Sequence, residues 1–338
     1  MNGFWQNRPV LITGLTGFIG CWLARRLVEE GARVVGFDLD STGALDLHPG
    51  LAGRIKLFRG DILDQPSLTA ALREQATDTC FHLAGQSMIE TGLASPVRTF
   101  DINIRGTWSV LEACREAGVR RVVVSSSNTI YGNQSHYPFD EDAPLNGAHP
   151  YAASKACCDI ITRSYAKSAD LDAVVCRQTN TFGGADPHRT HIVPATILSL
   201  LRGERPVINS DGTPVKAYLY VEDTVSGYMA LAEMAHQPTV SGGAFNITAK
   251  EPVSVLDLVK AVIRVAGSTD EPEVRGTPAT TRREREHLSP EKARMVLGWQ
   301  AAHTLEAGLA KTWDWYRSNA DRYERIAGAR AGSEGHAS

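Results

Sequence analysis

The sequence contains no apolar run that approaches the roughly 18 residues a membrane-spanning helix requires. Its first residues, MNGFWQNRP, also lack the apolar core of a secretory signal. From these two absences we expect a cytoplasmic location and no membrane partner.

A strong excess of charge of one sign is absent too. The 338 residues carry 35 Lys and Arg against 38 Asp and Glu, a net charge of −3, without a basic stripe. This balance gives no electrostatic case for a nucleic-acid partner. Cysteine is scarce, and the six cysteines show no CxxC spacing. They therefore predict reduced packing residues, not disulfides or a metal site.

Three glycines near the N-terminus, in contrast, form a regular pattern that bears on function. The apolar run Val10–Thr13 predicts a strand, and Gly14, Gly17 and Gly20 follow it at intervals of three before a helix-forming segment. A turn without Cβ atoms lets a pyrophosphate approach the N–H groups of a helix N-terminus. The same three glycines also fit a tight turn between strand and helix that binds no ligand. Asp38, at the end of the next predicted strand, favours the nucleotide site because its carboxylate could accept hydrogen bonds from a ribose.

Short apolar strands alternate with helical patterns as far as Ser125. This alternation predicts a Rossmann-type α/β fold, a doubly wound parallel sheet whose ligands lie beyond the carboxyl ends of the strands. Asp61, Gly85 and Ser125 all fall at the carboxyl ends of predicted strands. Their shared position strengthens the assignment of a ligand site at that edge.

Three segments are predicted from the change of pattern along the chain. Residues 1–181 form the dinucleotide-binding domain, and residues 182–326 form mainly a smaller α/β substrate domain, some of whose segments could return to the first. Residues 327–338, rich in Gly, Ala and Ser, predict a disordered tail.

Tyr151 and Lys155 lie four residues apart, on one face of a predicted helix. A free tyrosine, with a pKa of about 10, is a poor base at neutral pH. A nearby ammonium and a cationic nicotinamide would favour the phenolate. The spacing alone also fits an ordinary surface helix.

Taken together, the motifs resemble the extended short-chain dehydrogenase/reductases, and within them the nucleotide-sugar epimerase/dehydratase branch. The resemblance covers residues 8 to 300, approximately. It is carried by Gly14-x-x-Gly17-x-x-Gly20, Asp38, Gly60-Asp61-Ile62, His82-Leu83-Ala84-Gly85, Asn103, Ser125-Ser126-Ser127, Tyr131-Gly132 and Tyr151-x-x-x-Lys155. It implies tightly held NAD, a nucleotide-sugar substrate, and a homodimer formed through helices near residues 96–117 and 151–168.

The resemblance also implies a set of cofactor-binding residues. Asp38 favours NAD over NADP, because a carboxylate repels a 2′-phosphate. Gly85 stands where the family often has Ala, and we expect this change to leave cofactor binding intact. The full set is Gly14, Thr16, Gly17, Phe18, Ile19, Gly20, Asp38, Asp61, Ile62, Leu83, Ala84, Gly85, Asn103, Ser125, Tyr151 and Lys155.

Catalytic and substrate-binding roles are carried over in the same way. Tyr151 matches the family's base, Lys155 its partner, and Ser127 the residue that hydrogen-bonds the reacting sugar hydroxyl, with Thr129 assisting. Lys216 stands where the family usually has Arg, and an ammonium cannot make the bidentate phosphate contact of a guanidinium. The expected substrate-binding residues are Ser87, Ser127, Asn180, Lys216 and either Arg282 or Arg283, with Arg282 preferred.

Two residues bear on the reaction. The family's 4,6-dehydratases typically carry acidic residues directly after the Ser/Thr, whereas this chain has Asn128 and Thr129. Neither titrates near pH 7, so the sequence favours 4-epimerisation with retained NAD. Segments 4–6, 11–23 and 182–186 resemble CDP-glucose 4,6-dehydratase and keep that reaction as the alternative. A non-catalytic NAD-binding protein is the third.

Overall fold

The computed structural model describes residues 3–39, 43–276 and 285–334. The strands are β1 (Pro9–Thr13), β2 (Arg33–Asp38), β3 (Lys56–Arg59), β4 (Thr79–His82), β5 (Arg121–Ser125), β6 (Asp172–Gln178), β7 (Asn180–Phe182), β8 (Val207–Ile208), β9 (Val215–Lys216), β10 (Tyr218–Tyr220), β11 (Ala244–Ile247), β12 (Val253–Ser254), β13 (Glu273–Val274) and β14 (Arg285–Glu286). The α-helices are α1 (Phe18–Glu29), α2 (Gln65–Glu74), α3 (Ile89–Ala94), α4 (Pro96–Phe100), α5 (Gly106–Ala117), α6 (Pro150–Ser168), α7 (Ile192–Leu201), α8 (Val221–Met234), α9 (Val255–Val265) and α10 (Leu305–Glu334).

Seven of these strands form one parallel sheet in the spatial order β3, β2, β1, β4, β5, β6, β11. The order reverses between β1 and β4, because the chain reaches the β3 edge and then re-enters beside β1. Open α/β sheets bind ligands beyond the carboxyl ends of their strands at such a switch point. The predicted Rossmann-type doubly wound sheet is confirmed.

The central strand β1 shows why both faces of the sheet are covered. Its side chains alternate between two apolar clusters: Val10 and Ile12 pack with Leu23 of α1, and Leu11 packs with Leu111 of α5. The three β1 residues have no exposed surface. Full burial of such a side chain stabilises the fold by about 1.5–3 kcal/mol, so β1 is held firmly beneath the turn that follows it.

Helix α6 is fastened to the sheet by a buried ion pair. Arg177 of β6 donates two hydrogen bonds to Asp159 of α6, with lengths of 2.7 and 3.1 Å, and a third of 2.9 Å to the Tyr131 hydroxyl. Burial alone would lower the pKa of Arg177, but the bonds to Asp159 and Tyr131 raise it above the ordinary value. The pair fixes the helix that carries Tyr151 and Lys155.

The chain beyond residue 181 builds smaller sheets. β7 pairs with β10, β9 lies between β12 and β14, and β8 pairs with β13. One segment, β11, returns to the main sheet beside β6. The division at residue 181 remains a prediction.

The last helix extends farther than the sequence suggests. α10 runs to Glu334 and so includes residues 327–334, for which a disordered tail is predicted. The disordered tail, residues 327–338, stays a prediction; residues 335–338 lie outside the described part of the chain. In the described ranges, no helix has both the length and the apolar character of a membrane span.

Candidate active site

The glycine loop (residues 14–20) follows β1 at the switch point. Gly14 has a φ of +73°, and a Cβ there would lie 2.6 Å from the backbone nitrogen of Ala84. A Cβ on Gly20 would lie 2.2 Å from the Gly14 carbonyl oxygen. Gly17 is the N-cap of α1, and no described side chain caps that helix. The N–H groups of Phe18 and Ile19 therefore belong to a first turn suited to a pyrophosphate.

Asp38 lies against this loop, as the sequence predicts for a cofactor site. One carboxylate oxygen accepts hydrogen bonds from the Thr16 backbone N–H (2.9 Å) and hydroxyl (2.8 Å), and the other accepts from the Leu39 N–H (2.8 Å). These bonds hold the carboxylate at the carboxyl end of β2, beside the N-terminus of α1. The loop and the carboxylate together fit the diphosphate and ribose of a dinucleotide.

The remaining cofactor candidates occupy neighbouring strand ends. Asp61 accepts a hydrogen bond from the Leu63 N–H at 2.9 Å and shapes the turn after β3, where Ile62 is buried. Leu83 and Ala84 directly follow β4. The structure thus brings these residues to the edge that also carries the glycine loop.

Asn103 ties the end of β4 to α6. Its Oδ1 accepts from the Gln86 N–H (2.8 Å), and its Nδ2 donates to the Gln86 carbonyl (3.0 Å) and to the Ser154 hydroxyl (2.8 Å). A Cβ on Gly85 would lie 2.9 Å from Asn103 Oδ1. In this chain, an alanine at position 85 would push the Asn103 amide aside. Ser87 lies in the same loop and is exposed.

Lys155 and Tyr151 project from the first two turns of α6. The Lys155 ammonium is buried and donates a 3.0 Å hydrogen bond to the Ser125 carbonyl at the end of β5. Tyr151 is half-buried, and its ring lies parallel to that of His149, with centroids 6.1 Å apart. His149 caps α6 by accepting from the Ala152 N–H. The structure therefore places Lys155 at the strand end predicted to bind the cofactor.

Ser127 and Thr129 form a hydroxyl pair in the turn after β5. The Thr129 hydroxyl donates to Ser127 Oγ at 3.0 Å, and the Ser127 hydroxyl donates to Asn128 Oδ1 at 3.2 Å. Ser127 and Asn128 are both buried. Three polar side chains are thus joined at the position that the resemblance assigns to the reacting sugar.

Sequence reasoning missed one residue here, Glu286. Its carboxylate accepts hydrogen bonds from the side-chain amides of Asn128 (2.6 Å) and Asn180 (3.3 Å), and it lies 3.5 Å from the Lys216 ammonium. Glu286 is 4% exposed. The register that pairs β14 with β9 places it opposite Lys216.

His149 was also missed. Burial lowers its pKa, while the carboxylates of Glu286 and Glu90 act in the opposite direction. The charges of Glu286 and Glu90 thus act on the pKa of His149, whose ring lies beside Tyr151. Arg282 and Arg283, the expected second phosphate cation, lie outside the described residues.

The family follows from comparison with known proteins. The sequence profile of the family described as GDP-mannose 4,6 dehydratase matches residues 11–312. The chain belongs to this family. The UDP-glucose 4-epimerase of Mycolicibacterium smegmatis is 35% identical over 313 residues, which cover 91% of this chain and 98% of that protein. The predicted resemblance to extended short-chain dehydrogenase/reductases that act on nucleotide sugars is confirmed.

Solved structures of the family include both reaction types. A UDP-glucose 4-epimerase from Thermotoga maritima, determined with UDP-glucose, has a TM-score of 0.84 and 27% identity, covering 92% of this chain and 99% of its own. A dTDP-glucose 4,6-dehydratase from Streptomyces venezuelae, determined with NAD, has a TM-score of 0.84 and 28% identity. The match covers 94% of this chain and 99% of the dehydratase chain. Overall similarity therefore does not separate the two reactions.

Proposed function

We propose that this chain is an NAD-dependent nucleotide-sugar 4-epimerase that works through a transient 4-keto sugar. The observation that carries the proposal is the uncharged turn at the reacting end, where Ser127 is bonded to Asn128 and Thr129. With Tyr151 and Lys155 on α6, this turn provides groups for oxidation and reduction at C4. Neither Asn128 nor Thr129 can act as an acid or base near pH 7.

NAD fits the site that the glycine loop and Asp38 form. Gly14 and Gly20 let the loop pack tightly on its own backbone, and the N-terminus of α1, which no side chain of the described residues caps, offers its N–H groups to the pyrophosphate. The Asp38 carboxylate favours a ribose with a free 2′-hydroxyl. Bound NAD would supply reversible hydride transfer. The relatives determined with NAD support this cofactor.

The chain's own residues would handle the proton. Tyr151 takes the proton of the C4 hydroxyl while the C4 hydrogen leaves as hydride, which yields a ketone. Lys155, whose ammonium lies at the end of β5, would hold the ribose of the cofactor beside Tyr151, and Ser127 hydrogen-bonds the reacting oxygen. Return of hydride to the other face and of the proton to oxygen gives the C4 epimer. No net oxidation results, so NAD stays bound.

A 4,6-dehydratase is the second candidate, and Glu286 is the observation that favours it. A dehydratase must remove the C5 proton and protonate the departing C6 hydroxyl, which requires titratable groups. The Glu286 carboxylate lies 2.6 Å from Nδ2 of Asn128. Asn128 stands at the position where the family's dehydratases typically carry an acidic residue. The contacts of Glu286 with Asn128, Asn180 and Lys216 favour a role other than acid–base catalysis.

The assembly we propose is a homodimer. Five large apolar side chains are exposed on α3 to α6, and four of them lie on the helices near residues 96–117 and 151–168 that the resemblance assigns to a dimer. Their exposed fractions are 49% for Leu93, 75% for Val97, 36% for Phe100, 43% for Trp108 and 53% for Ile160. A second copy would bury them. We also propose a cytoplasmic location.

The proposal is tested by incubating purified protein with UDP-, CDP-, ADP-, GDP- and dTDP-sugars and identifying each product by NMR. We expect one pair of C4-epimeric sugars to interconvert without added NAD. UDP-glucose is the first substrate to test, because the relatives named above include UDP-glucose 4-epimerases. A 4-keto-6-deoxy product would contradict the proposal.

A further inference from the structure

The carboxylate of Glu286 joins the two ends of the site. At one end it accepts a hydrogen bond from Asn128, whose Oδ1 accepts in turn from Ser127, the residue assigned to the reacting hydroxyl. At the other end it contacts Asn180 and Lys216, the residues assigned to the diphosphate. The carboxylate therefore lies between the residues assigned to the diphosphate and the turn that carries Ser127.

Glu286 gives this part of the site a negative charge. Lys216 offsets part of this charge, because its ammonium lies 3.5 Å from Glu286, and a bound diphosphate would draw on the same cation. Carboxylates accept hydrogen bonds from sugar hydroxyls and repel other carboxylates.

We propose that Glu286 is a specificity-determining residue that admits neutral sugars and excludes sugars carrying a carboxylate. This inference rests on the proposed nucleotide-sugar function and names its substrate class: nucleotide-linked neutral sugars, not uronates. At an effective dielectric of about 20, a second carboxylate about 5 Å away is repelled strongly enough to weaken binding more than tenfold.

The test compares the dissociation constants of UDP-glucose and UDP-glucuronate for the NAD-bound protein, measured by isothermal titration calorimetry. Wild-type protein should bind UDP-glucose at least tenfold more tightly. In Glu286→Gln this ratio should fall by about tenfold, and in Glu286→Asp, which keeps the charge, it should persist. The ratio cancels the effect of freeing Lys216, because both probes carry the same diphosphate.

A third probe makes the test independent of any substitution. UDP-glucuronamide has the shape of UDP-glucuronate but lacks the negative charge of the sugar carboxylate. Wild-type protein should therefore bind it about as tightly as UDP-glucose. Equal binding of UDP-glucose and UDP-glucuronate by wild-type protein, or an unchanged ratio in a folded, NAD-containing Glu286→Gln, overturns the assignment. UDP-glucose that binds with this selectivity but is not epimerised contradicts the proposed reaction alone.

Discussion

The side-chain amide of Asn128 donates a 2.6 Å hydrogen bond to the carboxylate of Glu286, 158 residues farther along the chain. An ionised carboxylate only accepts hydrogen bonds, so this contact fixes which way the amide faces. The amide oxygen of Asn128 therefore faces Ser127, whose hydroxyl donates a hydrogen bond to that oxygen. The residue assigned to the reacting hydroxyl is thus oriented by a strand from the C-terminal part of the chain.

Replacing Tyr151 by Phe removes the proposed base and leaves the glycine loop untouched. We expect turnover of the substrate to fall by 10²- to 10⁴-fold, the usual range for loss of a general acid–base group. The bound NAD, measured by absorbance after denaturation of the protein, should stay at the wild-type level. Undiminished turnover would show that another group moves the proton.

Gly20→Ala places a methyl group against backbone in the glycine loop. The new Cβ would lie 2.2 Å from the Gly14 carbonyl oxygen, and backbone cannot yield as a flexible side chain can. We expect a lower melting temperature and loss of copurified NAD. Gly53→Ala is the matched control, because nothing lies within 4 Å of a Cβ there; wild-type NAD content in Gly20→Ala would contradict the assignment of the loop.

Acid should destabilise the protein in part through His82. Burial, followed by the nearby charge of Lys155, lowers the pKa of His82 to about 3, whereas an unfolded histidine has a pKa of about 6.5. Between these values only the unfolded chain binds the proton. The free energy of unfolding should therefore fall as the pH drops below about 6.5, by up to about 1.4 kcal/mol per pH unit from this residue.

Urea unfolding between pH 7 and pH 4.5 measures this slope. His82→Gln should make the slope shallower, although part should remain because burial, Arg25 and Arg322 lower the pKa of His48 to about 4. An identical slope in wild type and variant would show that His82 is not the group responsible.

The exposed apolar residues of α5 and α6 should decide the oligomeric state. Ile160→Glu and Trp108→Glu each place a charge in the proposed dimer face, and we expect monomers by size-exclusion chromatography with light scattering. Met295→Glu is the control, because Met295 is 69% exposed but lies outside α3 to α6. Wild-type protein that is already monomeric would refute the proposed dimer.

Local patterns predicted much of this molecule. The glycine loop, Asp38 and the Tyr151–Lys155 pair are set by residues close together in sequence, and the structure gathers them at one edge of the sheet. The order of strands and helices to β5 followed from alternating apolar runs. These features depend on periodicity and on short-range steric limits, which a sequence displays directly.

Contacts between distant segments were not predictable in this way. Glu286 lies on the two-residue strand β14, and only its register against β9 brings it to Lys216. The need for glycine at position 85 likewise depends on the approach of Asn103 from another segment. Residues 101–105 form a π-helical stretch between α4 and α5, a local geometry that apolar periodicity does not reveal.

The most direct test of the proposed reaction is conversion of UDP-glucose by the NAD-containing protein in D₂O, followed by NMR of the sugar. Epimerisation returns the same hydride to C4 and leaves every other C–H bond intact. We predict UDP-galactose without deuterium on any sugar carbon. A 4-keto-6-deoxy product with deuterium at C5 would contradict the account, because it requires removal of the C5 proton and its replacement from solvent.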